Sequence, residues 1–185
     1  MRLLSVFISL LLLTACANSG TGQAPPQTVG KVDLERYQGA WYELARLPMF
    51  FQRDCLQSEA HYTLKSADEV GVLNRCLDKK GEWQEVHGTA TPQVKGSTDK
   101  LTVTFTESKL LSALARGEYW IIYLDDDYEN AVVGDSSLSY LWLLSREPNV
   151  DQDALNKMLL AARKQGYDTE KLIWRTPDEA MPNAR

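Results

Sequence analysis

Histidine is nearly missing from this chain of 185 residues, where His61 and His87 are the only two. The three cysteines stand far apart, at Cys16, Cys55 and Cys76, so no Cys/His cluster has the spacing of a zinc module and no metal site is expected. The acidic run Asp125-Asp126-Asp127 lacks the glycine and distal Glu of a calcium loop and reads as a solvated turn. Positive charge is also scarce. Twenty Lys and Arg face 25 Asp and Glu, a formal net charge of −5. A phosphate-backbone binder needs a basic face, so nucleic acid is excluded as a partner. No apolar run reaches the roughly 20 residues of a membrane-spanning helix. There is no Gly-x-Ser-x-Gly elbow and no histidine clearly placed beside an acid and a nucleophile, so an enzyme is not expected, nor a cofactor. What is present is 44% hydrophobic residues spread along the chain, enough for a packed core and against disorder. The length suits one domain.

The one conspicuous apolar stretch, Leu3 to Leu13, follows a positive Met1-Arg2 start and has the length of a secretory h-region. It ends in Leu13-Thr14-Ala15-Cys16, which resembles the lipobox of bacterial lipoproteins, where the signal is cut before the cysteine and that cysteine is acylated. The resemblance implies a signal peptide over 1–15, lipidation at Cys16 by a chain such as palmitate, and membrane attachment through that anchor. Ala17 rather than Asp follows the cysteine, which implies an outer-membrane destination facing the periplasm. Losing Arg2 with the signal moves the net charge by one, to about −6. The Gly-, Pro-, Ser- and Thr-rich segment that follows predicts a lipidated cysteine plus flexible tether over 16–31, a domain over 32–176 and a tail over 177–185. With Cys16 acylated, Cys55 and Cys76 form an even pair, expected as a disulfide in an oxidising compartment, with two buried thiols as the alternative.

Short runs of β-forming residues separated by turn signals predict strands at Gly39–Arg46, Ser58–Lys65, Val70–Cys76, Trp83–Thr91, Lys100–Thr106, Glu118–Leu124, Asn130–Gly134 and Tyr140–Arg146. Eight strands in sequence suit an all-β, up-and-down antiparallel barrel, although a sandwich would use similar strands. Asp151 as N-cap, Leu155, Met158, Leu159 and Ala162 at helical spacing, and Gly166 as terminator predict one helix packed outside the barrel. A short final strand is expected at Leu172–Trp174.

Gly39-Ala40-Trp41 on the first strand, Asp126-Asp127-Tyr128 between the sixth and seventh, and Leu144-Ser145-Arg146 ending the eighth occur in order. With these motifs the chain resembles the lipocalins, specifically the bacterial outer-membrane lipoprotein branch. Ala131 and Asp126 depart from the second motif. The resemblance implies that Trp41 plugs the closed end of the barrel and Arg146 lies across it, as structural closure. It implies a cavity for a small hydrophobic ligand, with Tyr62 lining it. Parity then turns Val72, Asn74, Val103, Phe105, Tyr119, Ile121, Tyr123, Tyr140 and Trp142 inward, and His61 outward, leaving His87 in either phase. A barrel wholly filled by side chains is the alternative. The open mouth is expected to carry apolar loops, with Phe50 and Phe51 in one and Leu111 in another, the latter flanked by Lys109 and Arg116, which suit an anionic head group. The expected function is lipid-anchored binding and transport of a fatty acid or lysophospholipid at the outer membrane. A structural or assembly lipoprotein using the greasy mouth as a protein interface is the alternative, and a lipid-modifying enzyme ranks third. Whether the protein is a monomer or a dimer is left open.

Overall fold

In the computed structural model, which describes residues 24–105 and 116–181, eight strands close into a barrel. They are β1 (Gly39–Arg46), β2 (Cys55–Ser66), β3 (Glu69–Asp78), β4 (Trp83–Pro92), β5 (Lys100–Phe105), β6 (Arg116–Leu124), β7 (Asn130–Gly134) and β8 (Leu141–Ser145). Each pairs antiparallel with the next, and β1 pairs with both β2 and β8, so the circle has no free edge. A two-residue strand, β9 (Ile173–Trp174), lies outside on the open half of β1. The signal segment, Cys16, Lys109 and Leu111 fall outside the described residues.

Alternation along the strands sorts apolar side chains into two cores. Trp41, Tyr62, Val72, Val103, Ile121, Val133 and Leu144 pack inside the barrel. Leu44, Ala45, Trp120, Val132, Leu143 and Met158 pack between the outer wall and α2 (Gln152–Lys164). The Asp151 carboxylate caps α2 by accepting from the Ala154 amide at 2.7 Å, and Gly166 at φ +97° ends it. The buried stripe of Met158 and Ala162 faces the β6–β7 wall.

Register shifts break the alternation; two fall near the ends of β2, at Cys55/Gln57 and Leu64/Ser66, and one each in β1 and β6. In β1, Glu43 pairs with Leu144 but Ala45 pairs with Leu143, so Leu44 and Ala45 both turn outward and Arg46 turns in beside Trp142. In β6, Ile121 pairs with Val133 but Tyr123 with Val132. Tyr123, expected inside, therefore lies outside against the helix-side core. A strict period of two cannot register an extra residue.

A short helix, α1 (Leu34–Tyr37), that local pattern did not suggest runs under the barrel, capped by Asp33. Trp41 donates its indole N–H to the Tyr37 carbonyl at 2.8 Å. The Arg146 guanidinium lies 4.0 Å from the Trp41 ring and donates to the carbonyls of Ala40, Arg36, Tyr37 and Tyr128. Gly39 sits at φ +98°, and a Cβ there would stand 3.2 Å from Arg146 Nη1. The glycine of the first motif thus answers both a backbone conformation and a close approach. Tyr128 of the second motif accepts from the Asp33 amide at 3.0 Å, and the Arg36 guanidinium lies 3.9 Å from its ring. Asp125 holds the adjoining turn, accepting from the Glu129 and Asn130 amides.

Residues 27–31, expected as part of a loose tether, are bonded to the barrel flank. Gln27 exchanges two hydrogen bonds with the side chain of Gln165, beyond the end of α2. The Val29 amide donates to the Ile121 carbonyl at 3.0 Å. Thr28 and the Gly30 amide both donate to the Asp99 carboxylate, which is 5% exposed. Val32 is buried in the floor. Among the described residues, no helix is long and apolar enough to cross a membrane.

Candidate ligand-binding interior

Strand parity and the shifts in β1 and β6 decide what the barrel interior presents, beginning at its floor. Tyr37, Tyr62 and Tyr119 converge above Trp41. The Tyr37 and Tyr119 hydroxyls lie 2.8 Å apart, and the Tyr62 ring stands 5.7 Å from each of the other two. Burial pushes all three phenols well above their ordinary range, so they remain protonated hydrogen-bond donors.

The middle of the interior is apolar. Val72 of β3, Val103 of β5, Ile121 of β6 and Leu144 of β8 face one another, with Val70, Ala60 and Ala90 between them. Phe105 crosses opposite Gly88, where a Cβ would come within 2.8 Å of the ring. The missing side chain lets the ring lie against the wall instead of across the lumen. Tyr119, Phe105 and Trp142 keep part of their surface accessible although they point inward.

Above this belt the interior turns polar. The β1 bulge brings both Glu43 and Arg46 inside, joined by a 2.8 Å ion pair, with Arg46 only 2% exposed. Arg46 also donates to the carbonyls of Gln52 and Cys55, at 2.8 and 3.0 Å. The Gln52 side chain donates to Glu43 at 2.9 Å and to Ser58 at 3.3 Å, and accepts from the Trp142 indole at 3.0 Å. Burial raises the Glu43 carboxyl above its ordinary range, a push that Arg46 and Gln52 oppose. Asn74, half-buried opposite Ala60, completes the inward polar positions of β3.

Phe50 and Phe51 lie at the rim on a single 3-10 turn, Phe50–Gln52, with their rings edge to face at 5.3 Å. Tyr140, expected on the eighth strand, precedes it instead. Its ring stacks on Trp142 at 6.1 Å and meets Phe51 at 5.8 Å, linking rim to interior. The disulfide Cys55–Cys76 ties the open ends of β2 and β3, with Cα atoms 5.3 Å apart. Arg116 is exposed at the start of β6, on the outward face shared by Glu118, so it does not point into the mouth. His61 faces outward, 3.2 Å from Glu59, and His87 pairs opposite Leu73 on that same outer face.

Four interior residues escaped the sequence reading. Tyr37 belongs to a helix of four residues, too short to show periodicity. Glu43 has the parity of Trp41, and this was a legible signal that its charge argued against. Arg46 and Gln52 come inside only through the bulge and the strap that follows it.

An up-and-down barrel plugged at one end, apolar within and polar toward the other, has the architecture of small-ligand cups. Residues 32–177 match the family model of the lipocalin-like domain, and the chain belongs to the lipocalin family. An outer membrane lipoprotein Blc of Vibrio cholerae is 36% identical over 94% of this chain and 98% of its own length. Its counterpart in Escherichia coli K12 is 31% identical over 93% of this chain and 94% of its own. Temperature-induced lipocalin-1 of Arabidopsis thaliana is 34% identical over 84% of each. Among solved structures, insecticyanin of the tobacco hornworm Manduca sexta superposes with a TM-score of 0.63 at 18% identity, covering 81% of this chain and 83% of that one. That likeness concerns the fold.

Proposed function

We propose that the protein is a lipid-anchored carrier of a single-chain amphiphile, a fatty acid or lysophospholipid, at the outer membrane. The acyl chain lies in the apolar belt of Val72, Val103, Phe105, Ile121 and Tyr119, above Tyr62. The polar head stands at the collar near Asn74, Trp142 and Tyr140. The observation that carries this reading is the division of one interior into an apolar lower part and a polar collar, which matches an amphiphile end for end. Relatives named outer membrane lipoproteins support the location, with acylation at Cys16 as the anchor and the barrel on the periplasmic side. The interior supports binding without chemistry, since the described charged groups inside are engaged with each other and both histidines face out. Native mass spectrometry of protein extracted from membranes tests both halves. It is expected to show an acylated Cys16 and a co-purified amphiphile. Delipidated protein that binds neither fatty acid nor lysophospholipid in a fluorescence titration would overturn the carrier reading and favour a protein interface at the mouth.

A further inference from the structure

Three hydroxyls meet at the floor of the barrel and cannot satisfy one another completely. The Tyr37 and Tyr119 hydroxyls lie 2.8 Å apart, and either one can donate. Tyr62 hydrogen-bonds Tyr119 as well, whereas Tyr37 and Tyr62 share no bond. The set is therefore an open row with Tyr119 in the middle. Three hydroxyls carry three hydrogens, and the two bonds of an open row use two of them. Whichever way the row runs, one O–H is left over. Burial keeps all three phenols protonated, so that hydrogen does not leave by ionisation.

Among the described residues, no further acceptor bonds to these hydroxyls. The other polar side chains of the floor are donors, the Trp41 indole N–H and the Arg146 guanidinium, and the Tyr37 carbonyl already receives both. Above the row, the belt of Val72, Val103 and Ile121 is apolar as far as the collar. A buried donor without a partner is costly, and an incoming acceptor relieves that cost. The charge of Arg146 favours negative charge at Tyr37 and Tyr62, opposed at Tyr62 by Glu43. The guanidinium itself is engaged by four carbonyls and the Trp41 ring, so it is not free to pair with a carboxylate. The group that fits is a neutral oxygen.

We propose that this floor selects an amphiphile whose acyl chain ends in a neutral oxygen, a hydroxyl or ketone at the far end, which accepts the left-over hydrogen of the tyrosine row. This rests on the carrier reading and adds what the buried end of the ligand must be. Such a ligand is polar, apolar and polar along its length, as the interior is from collar to floor. Tyr62 and Tyr119, packed against the belt, read the oxygen.

The test titrates the delipidated full-length protein with straight-chain fatty acids of graded length, each beside its ω-hydroxy counterpart, followed by intrinsic tryptophan fluorescence. In a purely apolar pocket the added hydroxyl weakens binding, because it loses water and gains no partner. The expected result is the reverse, with the ω-hydroxy acid bound about tenfold more tightly at the length that reaches the floor. In a Tyr62→Phe/Tyr119→Phe double variant, which keeps both rings, that preference should vanish or invert. A lysophosphatidylcholine with an ω-hydroxyacyl chain, its head too bulky for the floor, should keep the preference over the unsubstituted form. A chain ending in a methyl ketone gives a reading independent of affinity. Its carbonyl stretch should fall in frequency on binding to wild type and not to the double variant. Plain acids that bind as tightly as their hydroxy partners, or a preference that survives the double substitution, would overturn the proposal. A preference lost in the lysophospholipid would overturn it too, since the oxygen at the floor would then be the carboxyl of an inverted acid. No saturable response to any acid or lysophospholipid removes the carrier reading itself, whereas binding without preference removes this inference alone.

Discussion

Replacing Arg46 by Met keeps most of the side-chain stem and removes the charge that Glu43 faces inside the barrel. The buried carboxylate then retains Gln52 as its donor, and the carbonyls of Gln52 and Cys55 lose theirs. Breaking one side of a buried ion pair costs about 3–5 kcal/mol. That loss has two parts that pH separates. Glu43 is already raised above its ordinary range by burial, and losing Arg46 raises it further. A carboxyl with a raised folded-state value contributes stability below its unfolded value and loses it as pH rises through the folded one. The Glu43 part of the penalty should therefore be large near pH 8 and shrink toward pH 5, as the carboxyl takes up a proton. The carbonyl part should not change with pH. Urea unfolding of the disulfide-intact protein at about pH 5 and about pH 8 measures both parts through the midpoint at constant slope. Adding Glu43→Leu to Arg46→Met should restore most of the pH-dependent part. A penalty identical at both pH values, or a Glu43→Gln variant as unstable as Arg46→Met at about pH 8, would refute the reasoning.

Gly39→Ala should destabilise by about 1 kcal/mol or more, because φ is positive there and the new Cβ crowds Arg146; thermal unfolding reads this directly. Arg146→Ala removes a cation–π contact worth about 0.5–2 kcal/mol and withdraws a donor from four carbonyls, of which that of Tyr37 keeps the Trp41 indole. Trp41 fluorescence should shift to the red as the floor admits water. Reducing the Cys55–Cys76 bond, which spans 21 residues, should cost about 3 kcal/mol in a denaturant titration. Amide exchange should rise first over 47–55, where the strap meets that bond. A Trp142→Phe exchange removes the indole donor to Gln52 and should weaken amphiphile binding more than it lowers the unfolding midpoint.

Much of the barrel was legible because its strands are half-buried and alternate. The expected bounds of β1 and β7 match the observed ones, and α2 begins after Asp151 and ends before Gly166 as its caps implied. The interior positions on β2, β3 and β5 followed from the same period. What escaped was whatever violates it. Tyr123 and Arg46 changed sides because one extra residue in a strand reverses parity for everything beyond it, and no local propensity marks the place. Tyr37 was hidden in a single helical turn whose stability comes from the floor it plugs. The end of the tether was misread for another reason. Gly, Pro and Thr describe what a segment can do alone, whereas residues 27–31 are ordered by partners more than sixty residues away.

Those N-terminal contacts set where a soluble version of this protein can begin. The family match starts at residue 32, and a chain cut there would lack Thr28 and Gly30. The Asp99 carboxylate, held below its ordinary range by hydroxyl and amide donors against the cost of burial, would be left with Ser97. Ile121 would lose the amide of Val29. A protein trimmed to the apparent domain edge should unfold more readily than one starting at residue 24. The difference should widen as pH rises through the carboxylate range and hold steady above it, where Asp99 must keep its charge without Thr28 and Gly30. The segment between anchor and barrel is in this sense a tenth piece of the wall, supplied by the part of the chain that composition alone would discard.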